Sequence, residues 1–367
     1  MCERPFYQSY IRTQPSAIAS SPMINKDLPL VSVVIRTHNR PNLLACAINS
    51  VIKQTYGPVD ILIIDHESTG ETEELVRSYG PKVRYYKHNG NFRDTFNVWR
   101  DKVLGEFICV LDDDDYLSHD CIEKLMRVLL LRHDVDIVFP RHKIFSHVNN
   151  LQIFEKETER VSCSNMRKKL IHGNVIPWNG VIFRRECLRK IPQIDDSITG
   201  AYDWCFWILM ELAGCKFYQV DEILGYIRRG EDSVQFEILR MVKGVVECLE
   251  LYGEHLKLSE KVRHGYFHVY GYRLICTGIV YLEEGDIKNG RFNMLRGLYY
   301  YILGLRKMLK LVPALMIYIA SFVSEPQMAR VRTEKLFGVY LFRNYHQIRK
   351  SRMKLRIKLF EGVFSNR

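Results

Sequence analysis

The stretch EFICVLDDDDYL, from Glu106 to Leu117, joins a strand pattern to a dense cluster of acids. Its first six residues are mostly apolar, and short apolar runs of this kind are typical of strands buried on both faces. Four consecutive aspartates follow, Asp112 to Asp115. Adjacent carboxylates repel one another, so the run requires solvent or a cation beside it. The stretch therefore predicts a buried strand that ends in an acidic site.

Similar apolar runs lie on both sides of this strand and alternate with helical patterns. The runs that fit strands are Leu30–Ile35 (LVSVVI), Val59–Asp65 (VDILIID), Val83–Tyr86 and Val135–Phe139. The segments with helical spacing are Asn42–Gln54, Glu71–Ser78, Phe92–Val103 and Asp120–Leu131. Strand–helix–strand alternation favours right-handed crossovers, so it predicts an α/β fold with a mostly parallel sheet flanked by helices.

The polar residues that end these strands are predicted to meet in one crevice. Thr37 follows the first strand, Asp65 ends the second, and the aspartate run ends the fourth. In open α/β sheets, ligands bind beyond the carboxyl ends of the strands. These residues are far apart in sequence, but the topology brings them to the same edge.

Beyond residue 140 the pattern is less regular. Val175–Phe183 fits a strand beside the crevice, and Asp203–Ala213 fits an apolar helix. Ser233–Tyr252 and Lys257–Leu282 have helical apolar spacing.

The aspartate run has two interpretations. Mg²⁺ and Mn²⁺ prefer oxygen ligands, usually one or two carboxylates together with substrate phosphates. The alternative is a solvated acidic turn, or a helix N-cap in which Asp115 caps the helix that follows. The chain has no GxGxxG and no GxxxxGK[ST], so the fingerprints of dinucleotide and P-loop sites are absent.

Five segments, taken in order, resemble the family 2 glycosyltransferases. They are VSVVIRTHNRPNLLACAINSVIKQTY (Val31–Tyr56), VDILIIDHESTGETEEL (Val59–Leu75), HNGNFRDTFNVWRDKVLGEFICVLDDDDYL (His88–Leu117), AYDWCFWILMELAG (Ala201–Gly214) and GYIRRGEDSVQ (Gly225–Gln235). The resemblance covers about residues 30–235. It implies a GT-A fold and an inverting transfer of a sugar from a nucleotide-sugar donor to an acceptor hydroxyl.

The resemblance implies donor contacts at the first two strand ends. The loop after the first strand matches the turn that contacts the nucleotide, which makes Thr37, Asn39 and Arg40 donor-binding residues. Asp65 matches the acidic residue near the nucleoside. The position after it, where relatives often have a second aspartate, holds His66 here. An imidazole can hydrogen-bond or stack at that place, so His66 is included among the donor-binding residues.

The aspartate run and Asp203 resemble the catalytic parts of the family. Asp112, Asp113 and Asp114 match its DxD element, with Asp112 and Asp114 as ligands of Mn²⁺ or Mg²⁺ and with Asp112 and Asp113 at the donor. A divalent metal stabilises the charge that develops on a leaving diphosphate. Asp203 matches the general base, since a carboxylate can take the proton of the attacking hydroxyl. The alternative for Asp203 is an ordinary acidic residue at a helix N-terminus.

A second departure concerns the segment YIRRGEDS, which holds Arg228 and Arg229 where many relatives have a histidine. Two guanidinium groups can neutralise a diphosphate through bidentate contacts. The alternative is a solvated loop for at least one of them. Nearby aromatic and amide side chains suit a sugar acceptor, so Trp178, Asn179 and Trp204 are the acceptor candidates, with core packing as the alternative for Trp178.

The chain is basic because of its C-terminal part. Its formal net charge is +11, and residues 296–367 alone hold 15 Lys/Arg against 3 Asp/Glu. Within them, Leu298–Leu311 mixes aromatic and cationic residues, Val312–Val323 is apolar, and Arg352–Leu359 alternates cations with apolar residues. The apolar run is shorter than the ~20 residues that a spanning helix needs. We expect an interfacial helix on an anionic membrane or a helical hairpin packed on the catalytic domain.

These patterns predict three regions. Residues 1–29 form an irregular arm, 30–235 a catalytic domain, and 236–367 a helical basic region. No signal peptide and no cysteine framework is apparent, which favours a reduced, cytoplasmic chain at the inner face of the membrane. No nucleic-acid motif accompanies the basic charge, so nucleic acid is not among the predicted partners.

Three function classes follow from the sequence. The first is a metal-dependent hexosyltransferase that acts on a glycan or lipid-linked acceptor in surface polysaccharide or glycolipid synthesis. The second is a non-catalytic nucleotide-sugar-binding protein of the same fold. The third, a nucleotidyltransferase, usually has a glycine-rich basic loop after the first strand, which THNRPN does not provide.

Overall fold

One sheet of nine strands organises the described part of the chain. The computed structural model describes residues 28–90, 94–148, 151–229, 238–252 and 260–303. The strands run in the order β3-β2-β1-β4-β8-β6-β9-β5, and β7 pairs with β6. Their bounds are β1 Val31–Thr37, β2 Val59–His66, β3 Val83–His88, β4 Phe107–Asp112, β5 Tyr116–Leu117, β6 Ile137–Val148, β7 Leu151–Glu157, β8 Val181–Arg184 and β9 Phe217–Arg229.

Residues 31–112 form the parallel half of the sheet, which contains β1 to β4. Strand β1 pairs in parallel with β2 on one side and with β4 on the other, and β2 pairs in parallel with β3. All seven residues of β1 are buried, as expected for a central strand covered on both faces. The predicted strands and crossovers of this half are confirmed, and the carboxyl ends of β1, β2 and β4 lie at one edge.

The described residues also contain nine α-helices. Their bounds are α1 Pro41–Ile52, α2 Gly70–Ser78, α3 Thr95–Val98, α4 Cys121–Leu131, α5 Met166–His172, α6 Tyr202–Leu212, α7 Ile238–Tyr252, α8 Glu260–Glu283 and α9 Ile287–Leu303. Helix α1 begins at Pro41, whose fixed φ suits a first helical position, and it buries Leu44, Ala47, Ile48 and Val51 at helical spacing. The helix predicted over Phe92–Val103 is shorter: α3 passes into a 3₁₀ turn at Trp99–Asp101, and residues 91–93 lie outside the described part.

Residues 116–229 form the mixed half of the sheet, which contains β5 to β9. Strand β8 is antiparallel to both β4 and β6, whereas β6 and β9 are parallel. The sheet is therefore mixed, and the mostly parallel arrangement holds only for the first half. The strand predicted over Val175–Phe183 begins only at Val181, so Trp178 and Asn179 lie in the loop before it. The strand predicted over Val135–Phe139 continues as β6 to Val148.

The chain divides into two compact units, Met1–Lys257 and Leu258–Arg367, later than the predicted boundary after residue 235. In the second unit α8 and α9 pack closely, because a side chain at Gly297 would meet backbone atoms of Gly271 and Ile275. Among the described helices none has the length and apolar character needed to cross a membrane. The predicted arm and the tail beyond residue 303 lie outside the described residues, apart from residues 28–29.

Eight cysteines in the described residues are free thiols. Cys46 is disulfide-bonded, which departs from the prediction of a fully reduced chain.

Candidate active site

The aspartate run forms a tight turn between β4 and β5. The amide of Asp115 donates to the carbonyl oxygen of Asp112 at 3.3 Å, which closes the turn. The side chain of Asp112 is 34% exposed and that of Asp114 13%, whereas Asp113 and Asp115 are buried. The helix that follows begins at Cys121 with Asp120 at its N-cap. Asp115 therefore does not cap that helix, as one alternative interpretation of the sequence had it.

Residues at the end of β1 and in the loop after it donate hydrogen bonds to the aspartates. The Thr37 hydroxyl donates to Oδ2 of Asp113 at 2.7 Å. The guanidinium of Arg40, three residues further along the chain, lies 3.5 Å from Asp113 and 3.4 Å from Asp114. A hydroxyl at the end of β1 and a cation in the loop after it thus contact acids just beyond β4, so these two strand ends meet.

Arg228 approaches the same turn from β9. Its Nη1 lies 3.8 Å from Oδ2 of Asp114, and its backbone amide donates to Oδ1 of Asp115 at 2.7 Å. Arg228 and Arg229 are the last residues of β9, opposite Phe145 and Ser146 of β6. Both arginines therefore lie on a strand rather than in a solvated loop.

Burial raises the pKa values of the central carboxyls. The pKa of Asp113 is raised to about 7, chiefly by burial and then by the charge of Asp114. The pKa of Asp114 is raised to about 6 by burial and by Asp112, against the opposing charges of Arg40 and Arg228. Carboxyl groups that repel one another in this way favour any cation placed between them.

The donor set fits a divalent cation that also binds substrate. Among the residues with described positions, no three Asp, Glu, His or Cys side chains form a ready-made metal cage. Mg²⁺ and Mn²⁺ sites of nucleotide enzymes usually need only one or two carboxylates, the other ligands being phosphates and water. Asp112 and Asp114, the two more exposed members of the turn, provide that number.

Arg36, at the end of β1, is a site residue that the sequence analysis missed. Its Nη2 donates to Oδ1 of Asp112 at 2.7 Å, and only 8% of its side chain is exposed. The guanidinium lies 3.6 Å from the ring centroid of Phe96 and 5.4 Å from that of Trp178. Aromatic faces stabilise a buried cation and orient its planar group. The signal available in the sequence was a lone arginine within an apolar strand.

The ends of β1 and β2 are joined by Asn39. Its amide donates to Oγ of Ser68 at 2.7 Å, and its Oδ1 accepts from the amide of Thr69 at 2.8 Å. Asn39 has a positive φ of 52°, a conformation that asparagine tolerates better than most residues. His66 donates from Nε2 to the carbonyl oxygen of Gly90 at 2.7 Å, and its ring centroid lies 5.2 Å from that of His38.

Asp65 is fully buried beneath this junction. Its Oδ1 accepts from the amide of Ser68 at 3.0 Å, and its Oδ2 accepts from the hydroxyl of Tyr85 at 2.5 Å. Both oxygens of Asp65 thus bind the protein itself. The structure places Asp65 where it shapes the loop after β2, which also contacts Asn39.

Asp203 lies in the first turn of α6, beside the crevice. Its Oδ2 accepts from Nδ2 of Asn174 at 2.7 Å. The pKa of Asp203 is raised to about 6, chiefly by burial, with Asp112 raising it further and Arg36 lowering it. A carboxyl group with such a pKa changes protonation near neutral pH, as an acid–base residue should. Asn174 had no signal in the sequence.

The acceptor candidates are more deeply buried than the sequence suggests. Trp178 is 4% exposed, with its ring centroid 5.3 Å from those of Phe206 and Trp207. Trp204 is 1% exposed and donates from Nε1 to the carbonyl oxygen of Leu170. Trp204 therefore lines the core instead of the crevice, because its position in an apolar helix directs it inward. Asn179 is 4% exposed, and its side-chain amide contacts the aspartate turn.

A family model and the sequences of known proteins match the first half of the chain. The model described as "Glycosyl transferase family 2" matches residues 32–192. A glycosyltransferase of Rickettsia prowazekii is 28% identical over 205 residues, which are 53% of this chain and 60% of that protein. The chain thus spans less than two thirds of the length of this relative, and the same share is matched in a second one from Rickettsia typhi.

Solved structures of transferases share the fold. TarS residues 1–349 of S. aureus, solved in complex with UDP-GlcNAc, has a TM-score of 0.59 at 19% identity and covers 83% of this chain and 90% of that one. The mannosyltransferase PcManGT from Pyrobaculum calidifontis, in complex with GDP-Man and Mn²⁺, has a TM-score of 0.50 at 14% identity and covers 99% and 94%. At these identities the likeness shows the fold alone, and it confirms the expected GT-A architecture.

Proposed function

We propose, from the premise that residues 32–192 belong to glycosyl transferase family 2, that the chain transfers a sugar from a nucleotide-diphosphate sugar to an acceptor hydroxyl with inversion. The observation that carries the proposal is the aspartate turn, which Arg36, Arg40 and Arg228 flank and whose Asp112 acts electrostatically on Asp203. An acid cluster that suits a cation and a carboxylate that titrates near neutral pH are the two parts that such a transfer needs.

The donor diphosphate is assigned to the aspartate turn and the cations around it. Asp112 and Asp114 would hold Mn²⁺ or Mg²⁺, which supplies Lewis-acid stabilisation of the leaving diphosphate. Arg40 and Arg228 already flank Asp114 and would bind phosphate oxygens once they are offered. Arg229 follows Arg228 on β9 and is assigned to the same anion.

The nucleoside is assigned to the loops after β1 and β2. Thr37 and Asn39 bring the first loop against Asp113 and Ser68, respectively. His66 extends the second loop with an imidazole that can stack on a base. Asp65 holds the second loop by accepting from the amide of Ser68, and Ser68 in turn accepts from Asn39 of the first loop. The neighbours solved with UDP-GlcNAc and GDP-Man show that the fold accommodates either base, so the panel of donors described below identifies the nucleotide.

Asp203 is assigned as the general base. Its carboxylate would take the proton from the acceptor hydroxyl while the oxygen attacks the anomeric carbon from the face opposite the diphosphate. Asn174 donates to one carboxylate oxygen and so orients the group for the acceptor. We assign the acceptor to a glycan or lipid-linked hydroxyl near Asp203, and the sugar to the hexose class, in surface polysaccharide or glycolipid synthesis.

We also propose a peripheral location at the inner face of an anionic membrane. The described helix α9 exposes Phe292, Leu295 and Tyr299, which recur at helical spacing along one face. Sedimentation of the full chain with vesicles of phosphatidylglycerol and phosphatidylcholine tests this. Binding to the anionic vesicles that falls with added salt supports it, and recovery in the supernatant at low salt contradicts it.

The test of the activity is a panel of nucleotide sugars incubated with the purified chain in Mn²⁺, Mg²⁺ or EDTA, with release of nucleoside diphosphate as readout. We expect slow hydrolysis of one donor, its loss in EDTA, and its loss in Asp114→Ala. Asp134→Asn is the matched control, because Asp134 is an exposed acid paired with Arg132. Equal activity in EDTA contradicts the role of the metal.

Calorimetry with the same donors separates the alternatives. A wild-type chain that binds a donor but transfers it to no glycan or lipid-linked hydroxyl, and that does not hydrolyse it, is the non-catalytic binding protein. A chain that neither binds nor hydrolyses any donor has an aspartate turn without a ligand, and the proposed function fails.

A further inference from the structure

Asn179 lies where a single amide touches both ends of the aspartate turn. Its Oδ1 accepts from the backbone amide of Asp112 at 2.7 Å. Its Nδ2 donates to Oδ2 of Asp115. The residue is 4% exposed, so these bonds are shielded from water. One side chain therefore joins the first and the last aspartate of the run.

The chemistry of these two contacts requires an amide. A backbone N–H needs an acceptor and a carboxylate needs a donor, and the short side chain of asparagine provides both. An aspartate at this position would keep the acceptor but place a fifth carboxylate against Asp115. A leucine of similar shape would leave the Asp112 amide and the Asp115 carboxylate without these partners in a buried place, which costs more than the bonds themselves contribute.

The backbone of Asn179 is fixed in turn by His142 of β6. Because a carbonyl oxygen can only accept, the 2.6 Å contact makes Nε2 of His142 the donor to the carbonyl oxygen of Asn179. His142 is fully buried, and burial lowers its pKa to about 4, so the ring is neutral. Its Nδ1 has no hydrogen-bond partner in the described part of the chain. Burying one nitrogen of the ring without a partner costs free energy, which indicates that the hydrogen bond from the other nitrogen has a function.

Gly225 of β9 makes room for this ring. His142 and Gly225 are direct partners across β6 and β9, next to an irregularity in the register. A Cβ atom at position 225 would clash with Cδ2 of the imidazole. Two strands and a loop thus contribute to one arrangement: β9 leaves the space, β6 places the hydrogen-bond donor, and the loop before β8 carries Asn179.

We propose that Asn179 is a positioning residue that sets the geometry of the aspartate turn, and that His142 holds Asn179 in place. Neither residue touches the donor; both act through Asp112 and Asp115. The consequence for turnover rests on the proposed function, whereas the consequence for the turn does not. This role differs from the acceptor role predicted for Asn179 from the sequence.

Hydrogen exchange tests the positioning without any assumption about activity. In Asn179→Leu we expect the amides of residues 112–117 to exchange about tenfold faster, because a bond to a shielded backbone amide is lost. The amides of β2, which lie elsewhere in the sheet, should keep their rates. Gly225→Ala should give the same local change, since it displaces His142 while leaving Asn179 intact.

The matched control is Asn97→Leu. The side chain of Asn97 also uses both ends, donating to the carbonyl oxygen of Ile194 at 3.1 Å and accepting from its amide at 3.0 Å. This control should lower stability without changing exchange in residues 112–117. The proposal is overturned if a folded Asn179→Leu chain exchanges there like wild type, or if Asn97→Leu loosens residues 112–117 equally.

A reciprocal exchange of side chains provides the rescue. Asn179→Asp alone places two carboxylates together and should loosen the turn. Combined with Asp115→Asn, it restores a donor facing an acceptor, and the new amide oxygen can still accept from the Arg228 backbone. The double variant should recover protection of residues 112–117 and the donor affinity lost in the single variant. Recovery of protection in a chain without transferase activity would sink the proposed function alone; no recovery of protection would sink the positioning role.

Discussion

The two halves of the sheet contribute to the site in different ways. The parallel half places Thr37, Arg40 and the aspartates at adjacent strand ends, so its contacts follow from local topology. The mixed half contributes Asn179, from a loop, and Arg228, from the end of β9, through hydrogen bonds to the two ends of the aspartate turn. One half therefore supplies most of the charged groups of the site, and the other half fixes their orientation. Variants in the two halves should therefore fail differently.

The largest expected effect belongs to Asp203, whose loss should stop turnover while the donor still binds. Asp203→Asn should lower kcat by about 10²–10⁴-fold, the range for removal of a general base. Donor affinity measured by calorimetry should stay within a few-fold, since the diphosphate contacts lie in the aspartate turn. Glu211→Gln on the same helix is the control, because Glu211 pairs with Arg167 at 2.8 Å. Equal loss of donor binding in Asp203→Asn would show that Asp203 also binds the donor, and the two halves would then not fail differently.

The pH profile sharpens the same assignment. Because the base must be ionised and its pKa is about 6, kcat/KM should rise with pH below 6 and level off above it. The pKa values of Asp113 and Asp114 lie in the same range, so the wild-type curve alone does not identify the group. Asn174→Ala removes a hydrogen bond that favours the ionised form of Asp203, and it should move the rising limb to higher pH. An unmoved limb would assign the titration to the aspartate turn.

The next effect is on stability, through His142. Its pKa falls from 6.5 to about 4 on folding, so the unfolded chain binds more protons between these values. Stability from this group is complete above pH 6.5 and is lost as pH falls to 4, a difference of about 3 kcal/mol. Asp113, Asp114 and Asp203, whose pKa values are raised, act in the opposite direction.

The contribution of His142 is therefore read from a difference between two chains. The free energy of unfolding of wild type and of His142→Gln, measured by denaturant titration from pH 7 to pH 4, should differ in slope by about 1.4 kcal/mol per pH unit. His142→Asn serves if the glutamine variant does not fold. Parallel curves for wild type and variant would show that His142 is not buried as a neutral ring.

The sequence predicts the parallel half well and the mixed half poorly, for physical reasons. Strand β1 is recognisable because it is apolar throughout and is followed by a proline that suits a helix start. Strand β9 alternates burial irregularly over 13 residues, and its register with β6 shifts twice, so no simple period marks it. Asn179 is similarly hidden, since it lies in the loop before β8 and no repeating pattern relates it to the aspartate turn.

The resemblance to the glycosyltransferase family predicted more of the site residues than the hydrophobic periodicity did. It predicted that Asp203 and the aspartate run share one crevice, and in the structure the charges of Asp112 and Arg36 both act on the Asp203 carboxyl. It did not indicate Arg36 itself, Asn174 or His142. Their functions arise from packing and hydrogen bonds in the folded chain, which a single sequence does not display.

Arg36 tests how the halves are connected, with a smaller effect than Asp203. Arg36→Met removes a charged hydrogen bond to Asp112 and should lower kcat/KM by roughly 10–100-fold. Arg36→Lys keeps the charge but loses the planar stacking on Phe96 and Trp178, so it should recover only part of the activity. The partly buried Arg100, which donates to three backbone carbonyls, provides the control: Arg100→Met should lower stability but not kcat/KM. Full activity in Arg36→Met would remove the link between Asp112 and Asp203.

The smallest effect is expected within the parallel half, at the bond from Tyr85 to Asp65. Tyr85→Phe removes one of the two described donors to a fully buried carboxylate, which should cost about 1.5–3 kcal/mol of stability. If Asp65 acts by shaping the loop, donor affinity should fall only a few-fold, in step with that loss. Tyr79→Phe is the control, since the Tyr79 hydroxyl lies 3.5 Å from its backbone acceptor. A loss of donor affinity in Tyr85→Phe without a loss of stability would instead make Asp65 a direct contact to the nucleoside, and then this half would bind as well as gather charge.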